Sequence, residues 1–280
     1  MPLETYQTEI IEKLDRLERE GKGRTFTLCS FFNSYSEKVT VKGFIKGEKP
    51  KTLITACHHA NELYGTYDGI LEYAEKGKEP AILVPVVDVE NFCLNKEALE
   101  EILKTHGKEI LADLIKDMRE GCSYDSPPMK RWKCWAYGTE EAPHAVKALE
   151  DIIKGMRFVM DIHNCAFNQY LIISELGNRR GEDRILEALK DSVYGAGGTL
   201  YEGDAPNFMR GSDIDGVYQP RMPNSILKYA SQKGIINAVL EVPVFEYKRN
   251  SMPLADFKKL RAQTASIISE AVKEAELLSP

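Results

Sequence analysis

Four short runs of almost wholly apolar residues, 52–57, 81–87, 158–162 and 235–242, recur along the chain between longer stretches of helical periodicity. A strand without polar alternation needs cover on both faces, which helices flanking a parallel sheet supply. The expected class is therefore α/β, with a mostly parallel central sheet and helices on both faces. Residues 3–20 place Tyr6, Ile10, Ile11, Leu14 and Leu17 at helical spacing before Gly21-Lys22-Gly23, which predicts a first helix. Runs 25–32 and 38–45 predict a hairpin, and 170–174 a further short strand. Helices are expected at 63–75, within 96–119, and at 144–154, 182–193, 224–233 and 253–277. The stretch 121–143 shows no periodicity and holds three prolines and two tryptophans, the character of a functional loop. Nothing resembles a flexible linker, so residues 1–280 are expected to form a single domain, and 43% apolar residues suffice for its core.

The charge balance narrows the function classes. Lys plus Arg is 37 and Asp plus Glu 43, a net charge of 37 − 43 = −6 with no long block of one sign. A nucleic-acid partner or an anionic membrane surface is not expected. No apolar run approaches the roughly 20 residues that span a bilayer. The chain opens on Met-Pro-Leu-Glu-Thr, without the basic patch and apolar run of a secretory leader, so the expected location is cytoplasmic. Six cysteines are spread thinly and form no CxxC pair, as reduced cytosolic thiols would be.

In open α/β sheets, ligands bind at the carboxyl ends of strands, so polar residues there carry the functional signal. Three such ends stand out. Cys57-His58-His59-Ala60-Asn61-Glu62 leads an apolar strand straight into two imidazoles and a carboxylate. His59 and Glu62, three apart, can grip one ion from the same side of a turn. His58 is either a pocket residue or structural, and the structural reading is favoured because neighbours on a strand point opposite ways. Asp161-Ile162-His163 follows the second strand end, with Asp161 and His163 on one face. Glu241 stands inside the apolar run 235–242, where a carboxylate is unfavourable unless paired or used.

Each piece alone has an ordinary reading: a chance HxxE, a satisfied buried histidine, a carboxylate paired with an arginine. Together, His59, Glu62 and His163 supply two imidazoles and a carboxylate, the ligand count of a catalytic zinc that keeps a fourth position for water. Glu241 is then the general base. Zinc lowers the pKa of its water toward about 7, and a nearby carboxylate moves the proton to a leaving amine. The expected cofactor is one Zn2+ per chain. Cys165, two residues beyond His163, is expected to be a buried thiol.

This pattern resembles the zinc metallocarboxypeptidases of the carboxypeptidase A type. That family has a His-x-x-Glu pair at a strand end, a third histidine about a hundred residues later, often as Asp-x-His, and a general-base glutamate near the last strand. The motifs fall here on His59, Glu62, His163 and Glu241, with gaps of 163 − 62 = 101 and 241 − 163 = 78. Residues 85–92 resemble a degenerate form of the family's Pro-x-x-Asn-Pro-Asp-Gly segment. Val217-Tyr218-Gln219, with Tyr218 241 − 218 = 23 residues before Glu241, resembles the stretch that carries a substrate-capping tyrosine.

The resemblance implies a zinc-carboxypeptidase-like (phosphorylase/hydrolase-like) sheet of about eight strands. It also implies attack of promoted water on a peptide or amide bond, with Arg131 stabilising the oxyanion and Tyr218 closing over a small peptide. The family's Asp-x-Asn-Arg-Asn motif is absent. Arg131 is its nearest stand-in, matching either the carboxylate-binding or the carbonyl-polarising arginine, and Arg210 and Arg221 are further candidates for carboxylate recognition. His59-Ala60-Asn61-Glu62 also resembles the His-Gly-Asn-Glu of the aspartoacylase and succinylglutamate desuccinylase branch, which implies an N-acyl-amino-acid deacylase with an acylated amino acid as substrate. A non-catalytic metal- or ligand-binding member of the fold is the third reading. The glycines of 195–198 lack a P-loop context and read as a turn, and 211–216 lacks the ligand spacing of an EF-hand.

Overall fold

A computed structural model describes residues 3–33, 36–58, 65–89, 92–93, 137–140, 142–165, 168–177, 179–205, 209–221, 224–243 and 256–278. Among them nine strands form one sheet: β1 (Arg24–Phe32), β2 (Lys38–Lys46), β3 (Thr52–Ala56), β4 (Ala81–Val84), β5 (Phe158–Cys165), β6 (Leu171–Ile173), β7 (Met209–Gly211), β8 (Val217–Pro220) and β9 (Ile236–Pro243). Their order is β1-β2-β4-β3-β5-β9-β6-β8-β7. The four central strands β4, β3, β5 and β9 run parallel, and antiparallel pairings join them to the flanking strands. The sheet is thus mixed with a parallel centre, as expected, and has nine strands rather than about eight.

The described helices are α1, built of Glu4–Tyr6, a π turn Gln7–Ile11 and Glu12–Arg19, then α2 (Tyr67–Lys76), α3 (His144–Ile153), α4 (Glu182–Gly195), α5 (Ile226–Gln232) and α6 (Phe257–Leu277). Every residue of β3 is buried and β9 is buried at all but Glu241, so both faces of the central sheet are covered. Gly65 fits between Val242 of β9 and Leu260 of α6, which puts the even-numbered side chains of β9 against α6, and α2 and α4 pack on that helix in turn. On the odd-numbered face, Asn237 Oδ1 accepts from the Glu175 amide at 2.9 Å and the Glu175 carboxylate pairs with Lys228 of α5 at 2.9 Å. Glu241 therefore belongs to the α5 face.

Capping fixes the helix ends more sharply than periodicity does. Ser225 caps α5, its hydroxyl accepting from the Lys228 amide at 3.2 Å. The last helix begins at Phe257 rather than 253, where the Asp256 carboxylate accepts from the Lys258 amide at 2.9 Å. The hairpin is present, with a bulge at Thr27/Cys29 that periodicity cannot signal. Strands β7 and β8, which flank residues 212–216, have no counterpart in the sequence reading; three- and four-residue strands carry too few residues to show a period. The expected helix within 96–119 and most of the 121–143 loop lie outside the described residues.

Gly69 of α2 packs against Thr264 of α6, and a Cβ there would come within 2.7 Å of Thr264 Cγ2. Alanine would gain about 1 kcal/mol of helix propensity but must force the helices apart. Gly69→Ala is expected to lower the unfolding free energy by about 1–3 kcal/mol, read as a shift of the urea midpoint at constant slope. An unchanged midpoint would show that this contact has room to give.

Candidate active site

The parallel strands β3 and β5 place Thr55 directly opposite Asp161, and Thr55 Oγ1 donates to Asp161 Oδ1 at 2.7 Å. Two residues on, His163 shares the face of Asp161, and its Nε2 lies 2.6 Å from Asp161 Oδ2. The alternation of a strand dictates this pair, as the Asp-x-His spacing predicts. The third contact was not predicted. β3 ends at Ala56, and Cys57 adopts a left-handed conformation with φ 52°, a setting rare for residues other than glycine. That turn carries His58 out of strand alternation and onto the Asp161 face, where its Nδ1 lies 2.9 Å from Asp161 Oδ1. The two imidazole planes are parallel within 4°, with centroids 6.3 Å apart.

Asp161, His58 and His163 are all buried. Burial would raise the Asp161 carboxyl, but the facing His58 and His163 rings and their hydrogen bonds outweigh it and hold the group far below the ordinary carboxylate range. Asp161 is therefore ionised and accepts only, so both imidazoles donate to it. In the neutral rings this assigns the electron pair of His163 to Nδ1 and that of His58 to Nε2. The Tyr137 hydroxyl, 2.7 Å from His58 Nε2, then donates to it. Tyr137 is in turn fixed by its amide, which donates to the Asn224 carbonyl at 3.1 Å, and by Gly138, whose amide donates to Glu150 Oε1 of α3 at 2.7 Å.

One nitrogen from each of His58 and His163 and one oxygen of Asp161 lie within 4.8 Å of one another, the kind of group that can hold a metal ion. The donor chemistry, imidazole with carboxylate, suits zinc among other ions. An ion placed between the three would need each ring in its other tautomer, with the protons on His58 Nε2 and His163 Nδ1, whereas the same carboxylate backing an imidazole from outside is the usual support of a histidine ligand. His163 presents Nδ1 away from Asp161, and His58, read from the sequence as structural, is brought into the same cluster as Asp161 and His163. His59 and Glu62, the other two expected ligands, and Arg131 lie outside the described residues.

Glu241 is the Cα partner of His163 across the parallel β5/β9 pair, so both side chains leave the same face at the same level. It is also the single partly exposed residue of β9, with buried neighbours on either side. Tyr218 lies in β8 opposite Ile173, which in turn is opposite Val239, so it shares the Glu241 face two strands away. Its hydroxyl donates to the Gly203 carbonyl at 2.7 Å, with the Tyr201 carbonyl at 3.3 Å. Arg210 of β7 sits 3.8 Å from the Glu175 carboxylate, which lies beside Asn237 near the amino end of β9, away from Glu241. Arg221 is exposed just beyond β8.

Sequence reasoning missed Thr55 and Tyr137. Thr55 carries no signal until strand pairing is known, and Tyr137 reaches His58 across 79 residues. Its neighbourhood in the aperiodic stretch was the only hint.

No protein-family model matches the chain, and no curated protein matches it in sequence. Solved structures do. A candidate metallopeptidase from Shewanella denitrificans superposes with a TM-score of 0.61 at 14% identity, over 98% of this chain and 90% of that one. A metallo-carboxypeptidase from Burkholderia cenocepacia gives 0.60 at 14% identity, over 96% of this chain and 68% of that one. A metallo-carboxypeptidase from Pseudomonas aeruginosa, in complex with (2-guanidinoethylmercapto)succinic acid, gives 0.57 at 13% identity, over 94% and 69%. The chain thus has the fold of the metallo-carboxypeptidases. Among the described residues no helix is long and apolar enough to cross a membrane.

The hydrogen bonds of Tyr218 define a measurable anchor. Tyr218→Phe is expected to lower stability by about 1 kcal/mol, seen in thermal melts. Movement of this side chain toward a substrate would require giving up both contacts, so no change in stability would mean that neither is made in solution.

Proposed function

We propose that this protein is a zinc-dependent hydrolase that cleaves a peptide or amide bond, acting as a metallocarboxypeptidase-like peptidase on small peptides in the cytoplasm. The observation that carries the reading is the Asp161-backed His163 standing level with Glu241 at the carboxyl ends of two central parallel strands. The fold shared with metallo-carboxypeptidases supports it. His59, Glu62 and His163 are the proposed ligands of one zinc, which when bound supplies Lewis-acid polarisation of the scissile carbonyl and acidifies a water molecule.

The chain's own groups do the rest. Glu241 takes the proton from water as it attacks and delivers it to the leaving amine nitrogen. Arg131 stabilises negative charge, either on the carbonyl oxygen or on the substrate carboxylate, and Tyr218 closes over the bound substrate. The single partly exposed position in β9 is where a general base needs access to water, and that is where Glu241 stands.

The His59-Ala60-Asn61-Glu62 segment favours a second reading, removal of an acyl group from an N-acyl amino acid by the same chemistry. Hydrolysis assays on C-terminally varied peptides beside N-acyl amino acids separate the two.

Metal analysis of protein purified without added metal is expected to give about one zinc per chain, lost in His163→Ala. Glu241→Gln is expected to keep the metal and lose about 100-fold or more in turnover. Chelation should abolish activity and zinc restore it. A protein that takes up no metal when zinc is added would overturn the hydrolase reading, and full activity in Glu241→Gln would remove that residue from the chemistry.

A further inference from the structure

We propose that His58 and Tyr137 are positioning residues: through Asp161 they fix the tautomer and the orientation of His163, and so the nitrogen it presents to a metal. The proposal rests on the function proposed above for what His163 does, but the positioning itself is a property of the protein alone.

Asp161 alone does not determine how His163 sits. A carboxylate has two oxygens and can rotate, and a single imidazole facing it can be met by either. Here both oxygens are committed. Oδ1 accepts from Thr55 Oγ1 at 2.7 Å and from His58 Nδ1 at 2.9 Å, which leaves Oδ2 for His163 Nε2 at 2.6 Å. His58 donates in that direction as a neutral ring only if its own electron pair is at Nε2, and the Tyr137 hydroxyl, 2.7 Å from that nitrogen, is placed to donate to it and so to stabilise that tautomer. The directions follow outward from the carboxylate: Asp161 accepts from His58 and His163, and Tyr137 faces the nitrogen that His58 then leaves as acceptor.

The row starts from a firm footing. Tyr137 is buried, its ring lies 5.8 Å from that of Tyr229 in α5, and its amide donates to the carbonyl of Asn224, just before α5. Helices α3 and α5 thereby hold the phenol in place. The left-handed turn at Cys57 brings His58 within reach of both partners, a backbone arrangement a strand continuing past Ala56 would not give. Sequence alone gives no sign of the two contacts of His58 in this row, because they span 79 and 103 residues.

The test uses His58→Leu, which removes both hydrogen bonds of the ring, His58→Asn, whose amide nitrogen can replace Nδ1 as donor to Asp161, and Tyr137→Phe. In the metal-free protein, 15N-detected imidazole spectra are expected to show His163 as one tautomer, protonated at Nε2, in the wild type and in His58→Asn. A mixture is expected in His58→Leu. Zinc affinity by chelator competition is expected to fall about tenfold or more in His58→Leu, by a few-fold in Tyr137→Phe, and to recover in His58→Asn. Should His58→Leu not fold, the Tyr137→Phe measurement and its melting curve decide alone. An unchanged His163 tautomer, or zinc affinities within about twofold of wild type in both variants while His163→Ala binds none, would overturn the positioning role and leave the proposed function standing. A locked tautomer in a protein that binds no zinc would overturn the proposed function and leave the positioning role standing.

Discussion

A single ionised carboxylate, Asp161, organises the centre of this molecule. It is buried between two parallel strands, where an unpaired charge would be strongly unfavourable, and three donors surround it: the Thr55 hydroxyl and the His58 and His163 imidazoles. Removing any donor leaves charge uncompensated in a low-dielectric interior. The same hydrogen bonds that make the burial tolerable also fix two histidine rings in parallel planes. Stability and geometry are here consequences of one electrostatic requirement.

That requirement can be met only because the sheet around it is rigid. β3, β5 and β9 are parallel, in register and covered on both faces, so their carboxyl ends form a common rim. Side chains at that rim inherit their positions from the ladder: Thr55 opposite Asp161, His163 opposite Glu241. The helical cover differs between the faces. α6 lies against the even-numbered residues of β9, while α5 and the segment beginning at Tyr137 lie over the odd-numbered face that bears Asp161, His163 and Glu241.

Much of this was legible from residue order. The apolar runs gave the parallel centre, the hairpin was readable from two alternating segments, and Asp161-x-His163 announced a shared face because strand geometry has a period of two. Glu241 stood out as a charge in an apolar strand, and the structure gives it a half-open place level with His163. Strand alternation would turn His58 away from Asp161, but the chain leaves strand geometry at Cys57, so His58 joins the Asp161 cluster instead. Short strands β7 and β8 escaped because three or four residues show no period.

The sequence by itself determined the class of fold, the strands whose ends carry ionisable groups, and the shared face of Asp161 and His163, since each of these depends on local periodicity and on the exclusion of charge from apolar strands. Only the tertiary structure decided that Thr55, His58 and Tyr137 complete the site. Those contacts join residues far apart in the chain through strand order, one left-handed turn and the docking of α3 and α5, and none of these leaves a period in the sequence.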